Sequence, residues 1–503
     1  MIMKKFLKLG LVAFCATVVS CEDATDIIQE SELGDNNVYR TVEDLESGLI
    51  GVYSAYTPDN ANNGIGDSFF FSDVFTDNVK EGLANNGQGS EEFQFTLQPG
   101  SNSARIIYQS RYQTINFANR VLRALDQLAP TFNEEDLVQS DRIKGELLAM
   151  RALAHFDVLQ YYVEDYSAPG SLGIQILNFV PEINQDVPRS TVGESFAFIK
   201  ADLDAADELL DEYDGERPNF FVNDDVVRAI RAKVALVEGD YTLAESLSEQ
   251  LLEDYMLASG DAYRNLWEDD IESTTEDIFV LSRIDPTNDP AVGENWYTNT
   301  VDRDGAVLLE MSRQLYDLYP EWDIRGRGWD NTNTQTEGVF VDEDSRPGQG
   351  IILIGKYPGG NSRGQLTNHI KLIRASEMQL IKAECEARRS AYGEAAASIQ
   401  ALWTARRRTG FTAPPVPTLT SDNALHFILE ERRKELAFEG HRYLDLKRIG
   451  REIGVGVNRL ASDCSSFVGN VNCALAPTDY RWTMPIPATE VNANPSIQQN
   501  TGY

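Results

Sequence analysis

Apolar residues recur along much of this 503-residue chain at spacings of three and four, the period that lines side chains along one face of an α-helix. Phe196, Ile199, Leu203, Ala206 and Leu210 form the clearest run, set in an otherwise acidic segment. Thr191 and Glu194 precede it with the spacing of a capping box, which satisfies free amides at a helix N-terminus. A second stripe, Ala149, Ala152, Leu153, Phe156 and Leu159, predicts a helix over 141–163 whose small residues let a neighbour approach closely. The same pattern predicts helices over 104–127, 224–238, 242–254, 312–319, 374–389, 393–409 and 421–438.

Two of these pairs look alike. Ala232, Gly239-Asp240-Tyr241 and Ala244 in one match Ala383, Ala387, Tyr392-Gly393-Glu394-Ala395 in the other, and both resemble a degenerate tetratricopeptide helix pair. A pair has one face to bury, so several must stack. The expected fold is therefore mainly α, with tetratricopeptide-like helix pairs forming a superhelical scaffold over 104–258 and 371–450. Between 259 and 370 the helical pattern lapses, and Gly, Asn, Asp, Thr and Pro accumulate around isolated aromatics. A loop-rich stretch of this length in a compact protein is functional or disordered. The β-like runs Asp277–Ser282 and Ile351–Lys356 argue for folded irregular structure, and 60–100 adds a second loop-rich piece.

The N-terminus breaks the pattern. Residues 1–20 carry Lys4, Lys5 and Lys8, an apolar run from Leu11 to Val19 and a small residue, Ser20, before Cys21. This is the form of a secretory signal peptide, and the apolar run is shorter than the roughly 20 residues that span a bilayer. Val18-Val19-Ser20-Cys21 resembles the bacterial lipobox, which implies acylation of Cys21 and anchoring to membrane lipid through buried acyl chains. Residues 21–37 are acidic and polar and read as a flexible tether, leaving 38–503 as a single domain. An acidic stretch in that place resembles the surface-export signals of lipoproteins in glycan-foraging Gram-negative bacteria.

Charge narrows the ligand class. With 79 acidic against 44 basic residues, the formal charge is −35, and nucleic acid, whose binding depends on clustered Lys and Arg, is not an expected partner. Neutral ligands fit best. Outside Cys21, the domain holds Cys385, Cys464 and Cys473. Cys385 lies on an apolar stripe with Met378 and Ile381 and reads as a buried small hydrophobe. Cys464 and Cys473 bracket a Ser/Gly/Asn-rich stretch, and in an oxidising compartment they can close it as a disulfide.

The strongest motif lies near the C-terminus. Glu431-Arg432-Arg433-Lys434-Glu435-Leu436-Ala437-Phe438-Glu439-Gly440, followed by Arg442, Asp445-Leu446 and Arg448, closely resembles the signature of the SusD/RagB family. The chain also closes as that family does, with Pro485-Ile486-Pro487, Glu490, Asn494-Pro495, Gln499-Asn500 and Gly502-Tyr503. Earlier segments agree in order, including Gly51-Val52-Tyr53, Tyr112 with Ile115 and Asn119, and Arg151-Ala152-Leu153. The resemblance implies an outer-membrane, surface-exposed lipoprotein that captures oligosaccharides, or less often peptides, and passes them to a SusC-like TonB-dependent transporter. It implies no catalysis and no cofactor. Within the signature, Glu431, Arg432 and Glu435 are spaced to pair along one helix, and Gly440 is placed to end it.

A glycan site needs aromatic platforms beside hydrogen-bonding side chains. Trp267, Trp296, Tyr297, Trp322 and Trp329 stand in loop-like surroundings, and Trp296, Tyr297 and Trp329 are the first candidates because Gly and Asn flank them. Phe69-Phe70-Phe71 reads as core, whereas Asp73, Asp77 and Asn78 are candidate polar contacts at one edge of the site. The four histidines show no metal-ligand spacing, and no phosphate loop or nucleophile elbow is present. A repeat scaffold in envelope assembly is the alternative from another class.

Overall fold

The computed structural model describes residues 38–56, 67–82, 84–182, 185–213, 215–268, 275–283, 291–298, 306–326, 352–360, 364–464 and 472–503. Its main helices, in chain order, are α1 (Val42–Ala55), α2 (Ser68–Phe75), α3 (Asn102–Leu128), α4 (Glu134–Tyr162), α5 (Val192–Asp211), α6 (Asp224–Glu238), α7 (Tyr241–Asp254), α8 (Asp261–Glu268), α9 (Arg313–Tyr316), α10 (Ala375–Arg388), α11 (Tyr392–Ala405), α12 (Ala424–Glu435) and α13 (Arg442–Asp445). The fold is mainly helical, as the periodicity predicts. Cys21 and the tether lie outside the described residues, and no described helix is long and apolar enough to cross a membrane.

The caps show why the helices start where they do. Thr191 Oγ1 accepts from Glu194 N at 3.2 Å while Thr191 N donates to Glu194 Oε2 at 2.8 Å, so the predicted capping box opens α5. Its five-residue stripe is buried along the whole helix. α4 begins well before the predicted 141 because Asn133 accepts from the amides of Glu135 and Asp136, and its first turns are polar and carry no apolar stripe. α1 carries the helical stripe Leu45, Leu49, Val52 and Tyr53, which the predicted helices leave out, whereas α2 shows no such stripe. Every residue of α2 is buried, its Ser68, Ser72 and Asp73 included, and a helix buried on all sides has no amphipathic signature.

Each long helix packs on the next from α3 to α7. The turn between α6 and α7 needs Gly239, whose φ of 95° is left-handed, a conformation open to glycine at little steric cost. The array then crosses the irregular region without interruption, because α10 packs directly against α7 and carries α11 and α12. Cys385, on α10, is buried, and burial pushes its thiol up to about 12.

The strands are short pairs, among them β1 (Val79–Glu81), β2 (Asp277–Leu281), β3 (Tyr297–Thr298), β4 (Ala306–Val307), β5 (Leu309–Met311) and β6 (Ile370–Arg374). β2 realises the predicted run at 277–282 and pairs antiparallel with β6, Val280 opposite Lys371. The predicted helix at 312–319 shrinks to the single turn of α9, whose first amides, those of Arg313 and Gln314, are held by the Asp463 carboxylate. Next to that carboxylate, Cys464 is disulfide-bonded to Cys473 with their Cα atoms 5.6 Å apart.

Candidate functional site

The two loop-rich stretches, 60–100 and 259–370, meet through their backbones. β1 pairs antiparallel with β5, Lys80 opposite Glu310. The pairing continues past the strand, where Gly82 N donates to Leu308 O and Ala84 N to Val307 O, both at 2.9 Å. A Cβ at position 82 would sit 2.4 Å from Val307 O, so glycine permits this approach. Trp296 O accepts from Leu308 N and Leu309 N, and Ile352 O accepts from Met311 N at 3.0 Å. Beyond β1 the chain turns through an exposed tip, Asn86-Gly87-Gln88. Asn85 fixes this tip by accepting from Gly87 N and donating to Gln88 O. The result is one face with amide groups at its surface, built from segments more than 200 residues apart.

The candidate polar contacts lie beneath this face and touch protein rather than solvent. Asp73, Asp77 and Asn78 are 1%, 3% and 0% exposed, which removes them as ligand contacts. Arg442 grips Asp77 with Nε on Oδ1 at 2.8 Å and Nη2 on Oδ2 at 3.0 Å, and Arg433 Nε donates to Asn78 Oδ1 at 2.9 Å. Asn78 Nδ2 in turn donates to Asp73 Oδ1 at 2.6 Å. Burial works to raise the Asp77 carboxyl, but Arg433 and Arg442 outweigh it and hold the group below the ordinary carboxylate range. For Asp73, burial outweighs its hydrogen bonds and the pull of the Lys356 ammonium and pushes the carboxyl up to about 7. These three residues join α2 to the signature turn. Arg459 completes the joint by donating to the carbonyls of Val74, Phe75 and Thr76 at the end of α2 and to Phe93 O.

The aromatic candidates divide differently. Trp296 is fully buried and meets Phe438 edge-on at 5.3 Å, so it is core and no platform. Tyr297 opens β3, opposite Val307, and Trp329 lies outside the described residues. Trp267 is buried with the Lys356 ammonium 4.1 Å from its ring centre, and Trp322 packs on Trp403 at 5.2 Å. Gly- and Asn-rich flanks had marked both Trp296 and Trp329 alike; composition carries no information on which side of a loop a ring points.

The charges of the signature serve mostly between elements, contrary to the pairing expected along α12. Within the helix only Lys434 pairs with Glu431. Glu435 instead accepts from Arg325 at 3.1 Å, Arg374 at 2.9 Å and Arg406 at 2.8 Å. Glu276 bridges Arg374 at 2.5 Å and Arg406 at 2.7 Å, and Arg325 also reaches Asp323 and Glu431. Glu439 takes Arg374 at 2.7 Å and Lys356. All of these groups are nearly or fully buried. Burial opposes ionisation of Glu435, yet Arg406, Arg374 and Arg325 hold its carboxyl far below the usual range. Removing one partner from such a group leaves an uncompensated buried charge and costs about 3–5 kcal/mol. One carboxylate on α12 thus holds the loop-rich region at its middle through Arg325 and at its end through Arg374, and its beginning through Glu276, which shares Arg374 and Arg406 with it. Each residue was visible in the sequence, but their partnership is long-range and leaves no periodic trace.

Among the described residues, Glu245, Glu386 and Glu394 form the carboxylate group close enough to share a cation, and Arg389 already bridges Glu245 and Glu394.

The sequence model described as "SusD family" matches residues 246–503, and one described as "Starch-binding associating with outer membrane" matches 29–236. The curated SusD-like protein P2 of Formosa agariphila is 23% identical over 541 aligned positions covering all of both chains. A putative sugar binding protein from Bacteroides vulgatus superposes with a TM-score of 0.75 at 23% identity, over 93% of this chain and 99% of that one. A laminarin binding SusD-like protein superposes with a TM-score of 0.64 at 21% identity, over 92% of this chain and all of its own.

Proposed function

Since the chain belongs to the SusD family, we propose that it binds neutral oligosaccharides at the face built from β1, β3 to β5 and the adjoining loops, without catalysis. On this reading it is a lipoprotein of the outer membrane, anchored through acylated Cys21 and facing the exterior, and it delivers its ligand to a SusC-like TonB-dependent transporter. The carrying observation is that two distant loop-rich stretches are assembled on one side of a rigid helical array. Three further features support the reading: the amide-rich tip at 85–88, the formal charge of −35 that disfavours anionic ligands, and relatives whose printed names are those of sugar- and laminarin-binding proteins. Tyr297 and Trp329 remain the proposed aromatic platforms.

Isothermal titration against a panel of neutral oligosaccharides is the test. At least one should bind, with no shorter product detectable by chromatography after prolonged incubation. Trp329→Ala and Tyr297→Ala should weaken binding without lowering the melting temperature. Turnover of any glycan by the pure protein overturns the reading. Cys21→Ala should release a folded, ligand-competent protein from membranes.

A further inference from the structure

A pocket of about 210 Å³ opens beside the end of α4, between Glu164, the helical turns that carry Lys447 and Arg451, and the segment 477–483. None of its lining residues belongs to the face built from β1 and β3 to β5. Tyr480 stands on its wall and is 48% exposed, the most exposed aromatic ring among the described residues. The ring is nevertheless held in place by the chain end. Tyr503 meets it edge-on at 5.3 Å, and a Cβ on Gly502 would sit 2.3 Å from it. An aromatic ring that is fixed yet open to solvent is a preformed platform, because a ligand that stacks on it immobilises little that was free before.

The polar groups of the pocket divide into spent and open ones. Lys447 gives its ammonium to the carbonyls of Gln160, Tyr161 and Val163, at 2.7, 3.3 and 2.8 Å, and so closes the C-terminus of α4. Asp479 accepts from Arg481 on both carboxylate oxygens, at 2.8 and 2.7 Å, and the Trp482 indole donates to Ala476 O. Glu164 and Arg451, both exposed, are each tied at one atom only: Glu164 Oε1 accepts from Thr501 N at 2.7 Å, and Arg451 Nη1 donates to Glu164 O at 2.9 Å. The open groups are thus one carboxylate oxygen, the rest of one guanidinium and the hydroxyl of Thr478. One charge of each sign gives no advantage to a charged ligand. A hydroxyl both donates and accepts, a carboxylate accepts and a guanidinium donates, which is the set that matches the edge of a polyol.

The volume exceeds the roughly 150 Å³ of a cavity that holds benzene and falls short of the roughly 300 Å³ at which pockets for larger ligands begin, so it admits one ring. We propose that this pocket is a second carbohydrate site, taking one neutral sugar ring with its apolar face on Tyr480 and its hydroxyl edge against Glu164, Arg451 and Thr478. Being one ring deep, it takes a monosaccharide or the end unit of a chain. It does not rest on the reading of the β-paired face, and either site can hold without the other.

The methyl glycosides of glucose, galactose, mannose and xylose serve as probes, each a neutral ring with no free aldehyde. Saturation-transfer NMR on the full chain should give, for at least one of them, a signal that saturates with a Kd on the order of millimolar. Tyr480→Ala should weaken that binding about tenfold, the loss of one stacked ring. Thr478→Val keeps the side-chain shape at an exposed position and should weaken it about threefold; it decides the matter if Tyr480→Ala does not fold. In the double variant Tyr297→Ala, Trp329→Ala the signal should persist. Its disappearance there assigns the ring to the β-paired face and overturns the second site. No saturating signal with any of the four probes, or a Kd unchanged in folded Tyr480→Ala, overturns it as well.

Discussion

Along α5 the interior is made by Phe196, Ile199, Leu203, Ala206 and Leu210, all buried. Around Glu435 it is made by three arginines, two lysines and five carboxylates, Glu435 included, buried just as deeply. The first kind of interior is held by removal of apolar surface from water, about 25 cal/mol per Å², and tolerates local rearrangement. The second depends on each charge finding its partner, because unpaired buried ions are far more costly than exposed ones. The helical array can therefore form from neighbouring pieces, whereas the loop-rich region is seated only when Glu276, Arg325, Arg374 and Arg406 converge on one site.

The sharpest way to break this contrast is Glu435→Gln set against Leu203→Ala. Removing the Glu435 charge should cost about 3–5 kcal/mol, and protease should then cut within 269–351 while far-UV circular dichroism retains its helical signal. Leu203→Ala should cost about 2–5 kcal/mol through the cavity it leaves, with loss of helix and no preferred cleavage in that stretch. If both variants show the same cleavage pattern, the two interiors are not distinct.

Next in size is Asp77→Asn, which leaves Arg433 and Arg442 facing a neutral group at the joint below α2. A loss of about 3 kcal/mol is expected near neutral pH. The native pKa of Asp77 is depressed below the ordinary 3.8 of an aspartate, so the native state binds fewer protons than the unfolded chain. The stability it contributes is present above that value and is lost as the pH falls through the native one. Denaturant midpoints of wild type and variant should therefore converge on acidification.

Asp73 provides the opposite sign a few ångströms away. Its native pKa is raised to about 7 from 3.8, so the native state holds a proton that the unfolded chain releases, and stability falls as the pH rises between these values. Asp73→Asn should match wild type near pH 4 and exceed it by roughly 1–3 kcal/mol near pH 8. The smallest effect is expected for Thr191→Ala, which removes the α5 cap at a cost of about 1 kcal/mol seen in the denaturation midpoint alone.

Legibility in the sequence follows the same division. α5, α6 and α7 were readable almost to their ends because alternating faces, a capping box and Gly239 all act within a few residues. α2 was not, since a helix buried on every side shows no stripe, and neither was the polar start of α4. Of the proposed site, the two loop-rich stretches were readable as regions, but Asp73, Asp77, Asn78 and Trp296 proved to be interior. An acid that contacts a sugar and an acid that grips an arginine 365 positions away look the same along a chain. Arg433 and Arg442 were visible as a motif; that they clamp Asp77 emerges only from the fold.

The return of the helical array from α7 to α10 has a consequence for how such a protein can be altered. Ala258, where the irregular region leaves the array, donates its amide to the Glu276 carboxylate at 2.7 Å, and Ala375, where it returns, donates to Glu276 O at 2.9 Å. Both ends of the insertion are thus fastened to one residue, and loop length adds little entropy once the ends are fixed. The segment is thus closed at its base like a clasped ring, so a change of length within it should leave the supporting stack untouched as long as the carboxylate at 276 stays.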